Sequence, residues 1–277
     1  MRASAYPPYS FPIVGRISAQ HASAVPEKAK IMDRLIYTAA SGAKHILEQQ
    51  ATTSNNLANV STTGFRAQLD SFRAVPVVSD GMPTRAFVVN STVGSDFSSG
   101  PLQLTGRDLD VAVKGKGWIA VQMADGSEAY TRAGGLQMNE NGLLQTAKGQ
   151  AVQGDGGPIT IPPEVTVTIG GDGTISTIAT TTKPGAPTVL GRIKLVNPNE
   201  QDLVRGDDGM FRMKDGSAAP SDPRVVVAGG ALEGSNVSPV ESMVTMISLA
   251  RSFETQMSLL KNAENNAAKA TQILALS

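Results

Sequence analysis

The segment from Ser238 to Leu274 constrains the fold of this chain most strongly, because its apolar residues recur alternately three and four positions apart. The positions on this stripe are Met243, Met246, Ala250, Phe253, Met257, Leu260, Glu264, Ala267, Thr271 and Leu274. Eight of these ten residues are apolar. Heptad spacing of this kind predicts one long amphipathic helix.

The sequence also predicts where this helix begins. Ser238 is a good N-cap, Pro239 suits the first helical position, and Glu241 follows three residues after the cap. A helix of about 37 residues is about 55 Å long, and it cannot bury its apolar stripe on itself. We therefore expect partners from other chains, whereas a helical hairpin within a single chain is the simpler alternative.

A weaker stripe near the N-terminus offers a first partner for this helix. Its positions are Asp33, Ile36, Ala40, Ala43, Leu47, Gln50, Ser54 and Leu57, of which five are apolar. We expect this helix to begin at Met32, with Asp33 favourable in its first turn, and to end before Gly64. Residues 1–31 are rich in proline, alanine and serine without a period, and they predict a disordered extension.

The middle of the chain has the pattern of β-structure. Five dipeptides suit turns with a positive backbone φ: Asp125-Gly126, Asn141-Gly142, Asp172-Gly173, Asp208-Gly209 and Asp215-Gly216. Short runs of alternating residues flank them, including Trp118 to Met123 and Glu128 to Arg132. These features predict an antiparallel domain of hairpins, either a barrel or a sandwich-like fold.

The predicted fold class is therefore α+β. A discontinuous helical coiled-coil domain comes from both termini, residues 32–65 plus 236–277, and serves assembly. An extended connector occupies residues 66–101, and an all-β antiparallel domain of hairpins occupies residues 102–235. The predicted assembly interface consists of Ile36, Ala40, Ala43, Leu47, Leu57, Met243, Met246, Ala250, Phe253, Met257, Leu260 and Leu274.

Composition argues against several classes of function. Acidic and basic residues balance at 24 each, so no overall charge favours nucleic acid or an anionic membrane. The chain contains no cysteine, which excludes disulfides and thiolate chemistry. There is no apolar run long enough for membrane insertion and no apolar core of a secretory signal peptide in the first thirty residues. We find no catalytic motif, and we expect no catalytic residue, cofactor or metal, and no enzyme activity.

Three segments resemble the flagellar axial proteins of the rod and hook. The first runs from Ser54 to Arg66 and contains Asn55, Asn56, Leu57, Ala58, Asn59, Thr63, Gly64 and Phe65. The second runs from Gly115 to Leu144 and is similar to the β domain that the family shares. The third contains Leu232, Glu233, Ser235, Asn236 and Val237 at the entrance to the last helix. The segments keep the family's order, and their details are most similar to proximal-rod members, which begin at the position of Met32.

This resemblance implies a structural subunit of the basal-body rod that transmits torque. The implied partners are other copies of the chain, other proteins of the proximal and distal rod, the flagellar type III export apparatus and the rod cap protein. It also implies a periplasmic location in the basal body, reached without a cleaved signal peptide. A distal-rod or hook-type protein is an alternative. A secreted β-rich ligand-binding protein or hydrolase is another, and it would require a pocket with convergent carboxylates or aromatic rings.

Overall fold

A computed structural model describes residues 27–76, 86–180 and 186–275 of the 277-residue chain. Two long helices lie at its ends, α1 at Glu27–Ala58 and α2 at Pro239–Ala275. The predicted cap of α2 is confirmed, because the Glu241 backbone N–H donates a hydrogen bond to the Ser238 hydroxyl at 3.4 Å.

The first helix begins earlier than predicted. It starts at Glu27 rather than Met32, since the five residues from Glu27 to Ile31 contain neither glycine nor proline and include good helix formers. The expected disordered extension thus loses its last five residues to α1. The rest of that segment, residues 1–26, lies outside the described residues.

The two helices pack side by side and run in opposite directions. Gly42 on α1 lies against the Gln256 side chain on α2, while Gly64, just after α1, donates its N–H to the Glu233 carbonyl just before α2. The contact of Gly42 with Gln256 therefore aligns the two helices. A residue of α1 and a residue of α2 lie at the same height when they are equally many positions away from Gly42 and from Gln256, both counted toward this junction. The predicted pairing of the terminal helices is confirmed.

The segment predicted as an extended connector forms a hairpin instead. Its strands are β1 at Gln68–Pro76 and β2 at Ala86–Ser95, paired antiparallel with a bulge between Ser71 and Phe72. Phe72 contacts His45 of α1 with ring centroids 5.6 Å apart. The sequence from Phe87 to Val93 is rich in β-branched residues, which favour a strand over an irregular connector.

The remaining strands build the middle domain. They are β3 (Leu102–Leu104), β4 (Val111–Lys114), β5 (Trp118–Gln122), β6 (Glu128–Thr131), β7 (Leu136–Met138), β8 (Leu144–Thr146), β9 (Ala151–Gly154), β10 (Gly157–Pro158), β11 (Val165–Ile169), β12 (Thr174–Ala179), β13 (Thr188–Arg192), β14 (Leu195–Val196), β15 (Leu203–Arg205), β16 (Phe211–Met213), β17 (Val226–Gly229) and β18 (Ala231–Glu233).

All pairings of these strands are antiparallel, as the turn pattern predicts. The largest sheet has the order β15-β16-β6-β5-β9-β8-β7, with β14 added to β5 and β10 added to β9. A three-stranded sheet, β11-β12-β13, and the pairs β17-β4 and β18-β3 complete the domain. The glycine of each of the five predicted turn dipeptides has a positive φ.

Strand β5 lies at the centre of the domain because both of its faces are buried. Ile119 and Val121 point into the larger apolar core, while Trp118 and Ala120 point into a smaller cluster with Tyr130 and six further apolar residues. Alternation of side chains along a strand explains this division. Trp118, the tryptophan of this strand, is therefore a core residue. No helix among the described residues is long and apolar enough to cross a membrane.

Candidate assembly site and the junction that orients it

The predicted assembly residues lie on two different faces of the helical pair. Half-buried positions on α2 face α1, and they include Met246, Ala250, Phe253 and Leu260. On α1, Ala43 is buried, and Ile36 and Leu57 are half-buried. Other predicted interface residues remain exposed to solvent, namely Ala40, Leu47, Met243 and Met257. The side chain of Leu274 lies outside the described residues.

A second apolar surface covers the first three turns of α2, on the side away from α1. Val240, Met243, Val244 and Ile247 are 70%, 53%, 62% and 56% exposed. Their spacing places them on one face of the helix. Only Met243 of this group lies on the predicted heptad stripe, whereas Val240, Val244 and Ile247 lie outside it.

The first family segment ends α1 and turns the chain into the β domain. The Asn59 side chain donates to the Asn55 carbonyl at 2.9 Å, and Thr62 donates its hydroxyl to Asn59 at 3.2 Å. Gly64 has a φ of +68°, and a Cβ at this position would overlap the backbone of Arg132 and Ala133. Glycine is thus required here both for its backbone conformation and for close packing of two backbones.

Two asparagines of the family segments fasten this turn to neighbouring backbone. Asn56 donates to the Gln68 carbonyl at 2.9 Å and accepts from the Gln68 N–H at 2.8 Å, so its amide takes the place of a strand partner for β1. Asn236 accepts from the Ala67 N–H at 2.7 Å and donates to the Asp96 and Ser98 carbonyls. The end of α1, the start of α2 and the base of the hairpin are therefore tied together.

A buried ion triad lies at the centre of the junction. The Glu233 carboxylate is fully buried and accepts from Arg66 at 2.7 Å and from Arg132 at 2.9 Å. The Gly100 N–H also donates to Glu233, at 3.0 Å. The Arg132 guanidinium further donates to the Gly115 carbonyl at 2.6 Å. Three distant parts of the chain thus meet at one carboxylate.

Electrostatics make this triad sensitive to the loss of any member. Two guanidinium groups face one carboxylate, and three guanidinium nitrogens of Arg66 and Arg132 have no hydrogen-bond partner among the described residues. The Trp118 ring offsets part of this charge, with its centroid 5.3 Å from Arg132 and 6.0 Å from Arg66. Burial lowers the pKa of Arg132, while the charge of Glu233 acts in the opposite direction.

A third arginine fixes Phe65, the residue that follows the glycine turn. The Arg205 guanidinium lies 4.6 Å from the Phe65 ring centroid and donates to the Arg66 carbonyl at 2.7 Å. Arg66 and Arg132 lie inside the segments that resemble the family, but the sequence alone predicts no role for them. Arg205 carried no signal, because only the fold brings it to Phe65.

Two acidic residues close together in the sequence, Asp108 and Asp110, have different surroundings. Asp108 is exposed, whereas Asp110 is buried and accepts from the Thr105 hydroxyl at 2.7 Å. These two carboxylates do not share a face, so they do not form a pair for acid/base chemistry. No group of three or more His, Cys, Asp or Glu that could hold a metal occurs among the described residues.

Comparison with known proteins identifies the class to which this architecture belongs. Three family models match: the flagella basal body rod protein at residues 36–66, the flagellar hook protein FlgE/F/G D1 domain at residues 112–177, and the flagellar basal body rod FlgEFG protein C-terminal at residues 228–273. These ranges cover α1 from residue 36 onward, the centre of the β domain, and α2 apart from its last two residues. The first range includes the segment from Ser54 to Arg66, and the last range includes the segment from Leu232 to Val237.

Individual relatives narrow the class further. The flagellar basal-body rod protein FlgF of Salmonella typhimurium is 46% identical over 89% of this chain and 100% of its own length. FlgF of Escherichia coli K12 is 47% identical with the same coverage. A basal-body rod protein FlgG, from Agrobacterium fabrum, is 31% identical over 77% of this chain and 88% of its own length. The chain belongs to the flagellar basal-body rod protein family, and within that family it is FlgF-like.

Proposed function

We propose that this chain is a structural subunit of the proximal rod and that it polymerises through its terminal helices into a hollow shaft that transmits torque. The observation that carries this proposal is the exposed apolar surface of α2. Four large apolar residues, Val240, Met243, Val244 and Ile247, stay in water although α1 already covers the opposite side. Burial of such side chains stabilises an assembly by about 1.5–3 kcal/mol each.

The comparisons support this proposal in two respects. The chain is FlgF-like over nearly all of its length, and the relatives carry the names of structural rod proteins. The FlgG relative is less similar than these two FlgF relatives, which favours a proximal over a distal or hook-type role. We propose no catalytic activity for the chain.

The wider context of the proposal comes from the family resemblance. We propose that the subunit passes through the flagellar type III export apparatus without a cleaved signal peptide and assembles in the periplasm. A rod cap protein would guide its addition, and other rod proteins would contact it above and below. The balanced charge of 24 acidic and 24 basic residues supports a function in which neither nucleic acid nor a membrane is a partner.

A substitution on the exposed surface tests the function without disturbing the fold. Ile247→Asp places a charge on the outer side of α2, while Ser248→Asp, at the next exposed position, is the matched control. We expect Ile247→Asp to leave the thermal unfolding of the isolated protein unchanged, because Ile247 is solvent-exposed there. Electron microscopy of basal bodies should show no complete rods for Ile247→Asp and normal rods for Ser248→Asp. Normal rods and swimming with Ile247→Asp would contradict the proposal.

A further inference from the structure

The exposed sides of both terminal helices are complementary to each other. The outer face of α2 consists of Val240, Met243, Val244, Ile247, Arg251 and Glu254, all exposed. The outer face of α1 consists of Tyr37, Ala40, Lys44, Leu47, Ala51, Ser54 and Ala58, also exposed. Both sets recur three and four positions apart, so each forms a continuous stripe along its helix.

Side-chain size is matched between the two outer faces near the β domain. Val240, Val244 and Ile247 of α2 lie at the heights of Ala58, Ser54 and Ala51 of α1, by the alignment of Gly42 with Gln256. Large side chains on one helix thus stand level with small ones on the other. Small residues let a second helix approach closely, so the large side chains can insert between them, as in knobs-into-holes packing.

Charge is matched in the same register. Moving away from the β domain, α2 presents Arg251 and then Glu254, while the outer face of α1 presents Leu47 and then Lys44. Glu254 lies at the height of Lys44, while Glu48, which is half-buried beside this face and contacts His45 at 3.1 Å, lies close to the height of Arg251. Neither Arg251 nor Glu254 forms an ion pair with another described residue, and Lys44 has only an exposed contact with Glu48 at 3.7 Å.

We infer that the outer face of α2 in one subunit docks on the outer face of α1 in a second copy of this chain, side by side and antiparallel. The inference rests on the proposed rod function and specifies its lateral contact. The faces differ, so the contact is heterologous and repeats from subunit to subunit around a ring or helix. The small residues of α1 fix which helix meets which, since α2 against α2 would lack them.

Cysteine pairs test this contact directly, because the natural chain has no cysteine. Val244→Cys combined with Ser54→Cys is expected to give covalent multimers of this chain when purified basal bodies are treated with a short bismaleimide. Each single variant should remain monomeric. Val244→Cys combined with Val189→Cys on the exposed strand β13 is the control pair and should also give no multimers.

A charge exchange provides the second measurement. Lys44→Glu and Glu254→Lys should each lower the number of complete rods per cell, and the double variant should restore it, because the opposite charges then meet again. Rods in normal number without multimers, or a double variant no better than its worse single parent, would overturn the inference but leave the rod function standing. Absence of the natural chain from purified rods would instead overturn the proposed function.

Discussion

Arg66 donates a hydrogen bond to Glu233 at 2.7 Å across a sequence separation of 167 residues. The bond joins the end of the first helical segment to the strand that leads into the last helix, and both side chains are fully buried. Because Arg132 binds the other carboxylate oxygen, the geometry of the helical pair against the β domain depends on a single acidic side chain.

Glu233→Gln should therefore destabilise the protein strongly. The substitution leaves two buried guanidinium groups without a countercharge, and breaking a buried ion pair costs about 3–5 kcal/mol. Urea unfolding followed by fluorescence measures the loss, since Trp118 is the single tryptophan and lies beside both arginines. Glu140→Gln, at an exposed position, is the control and should change the unfolding free energy by less than about 0.5 kcal/mol. Equal midpoints for the two variants would show that the triad contributes little.

Gly64→Ala should cost more than the same change at an open turn. Gly64 and Gly126 both have a positive φ, but a Cβ on Gly126 meets nothing within 4 Å, whereas one on Gly64 overlaps the Arg132 backbone. We expect a loss of about 1 kcal/mol for Gly126→Ala and of at least about 3 kcal/mol for Gly64→Ala, where backbone must also move. The difference between the two unfolding free energies isolates the packing effect, and a difference near zero would contradict it.

Tyr130 should make stability depend on pH in the alkaline range. Burial raises the pKa of Tyr130 to about 12, whereas the unfolded side chain ionises near pH 10. The folded state holds the phenol proton between these values, so its stabilising effect is complete below pH 10 and is lost as pH rises through 12. The free energy of unfolding should fall by about 1.4 kcal/mol per pH unit in this interval.

Tyr130→Phe separates this titration from that of other groups. The variant should be less stable near neutral pH by about 1–3 kcal/mol, because the buried Ala219 N–H loses its hydrogen bond to the Tyr130 hydroxyl. Between pH 10 and 12 its stability should fall less steeply than that of the natural protein. Parallel pH profiles for the two proteins would show that Tyr130 titrates as in the unfolded chain.

Phe253→Asp should stop the rod short. Phe253 is half-buried on the side of α2 that faces α1, so a charge there loses apolar packing and costs at least about 3 kcal/mol in the helical pair. Export should continue if the chain travels unfolded, while motility and rod length, measured by swarming and electron microscopy, should be lost. Thr255→Asp, at an exposed position of the same helix, is the control. Swimming cells with full rods in the Phe253→Asp strain would refute the role of this face.

Local signals in the sequence predicted most of the secondary structure. The Asp-Gly dipeptides fix their turns through the backbone freedom of glycine, and Ser238 with Pro239 fixes the start of α2, because each signal acts within a few residues. The hairpin of β1 and β2 was missed although Asp80-Gly81 stands between its strands, because Pro76 and Pro83 beside this dipeptide favoured an irregular connector. Packing on α1, such as the contact of Phe72 with His45, adds to the β-branched residues of β2 in favouring a hairpin over an irregular connector.

The candidate site was less predictable than the strands. Periodicity found a single stripe on α2, but it could not tell that α1 covers only one side, so Val240, Val244 and Ile247 escaped notice. The triad escaped for a different reason. A buried arginine and an exposed one look the same in sequence, and Arg66, Arg132 and Glu233 become a unit only when the fold brings three distant segments together.

The position of Glu233 also means that the buried junction can form only in a chain that extends beyond residue 233. A polypeptide that ends before this residue retains Arg66 and Arg132 but lacks the acid that neutralises them, and it lacks α2 as well. Such a fragment would keep two unpaired cations where the natural protein has a closed core. A prematurely terminated chain should therefore lack the junction that positions the helical pair against the β domain.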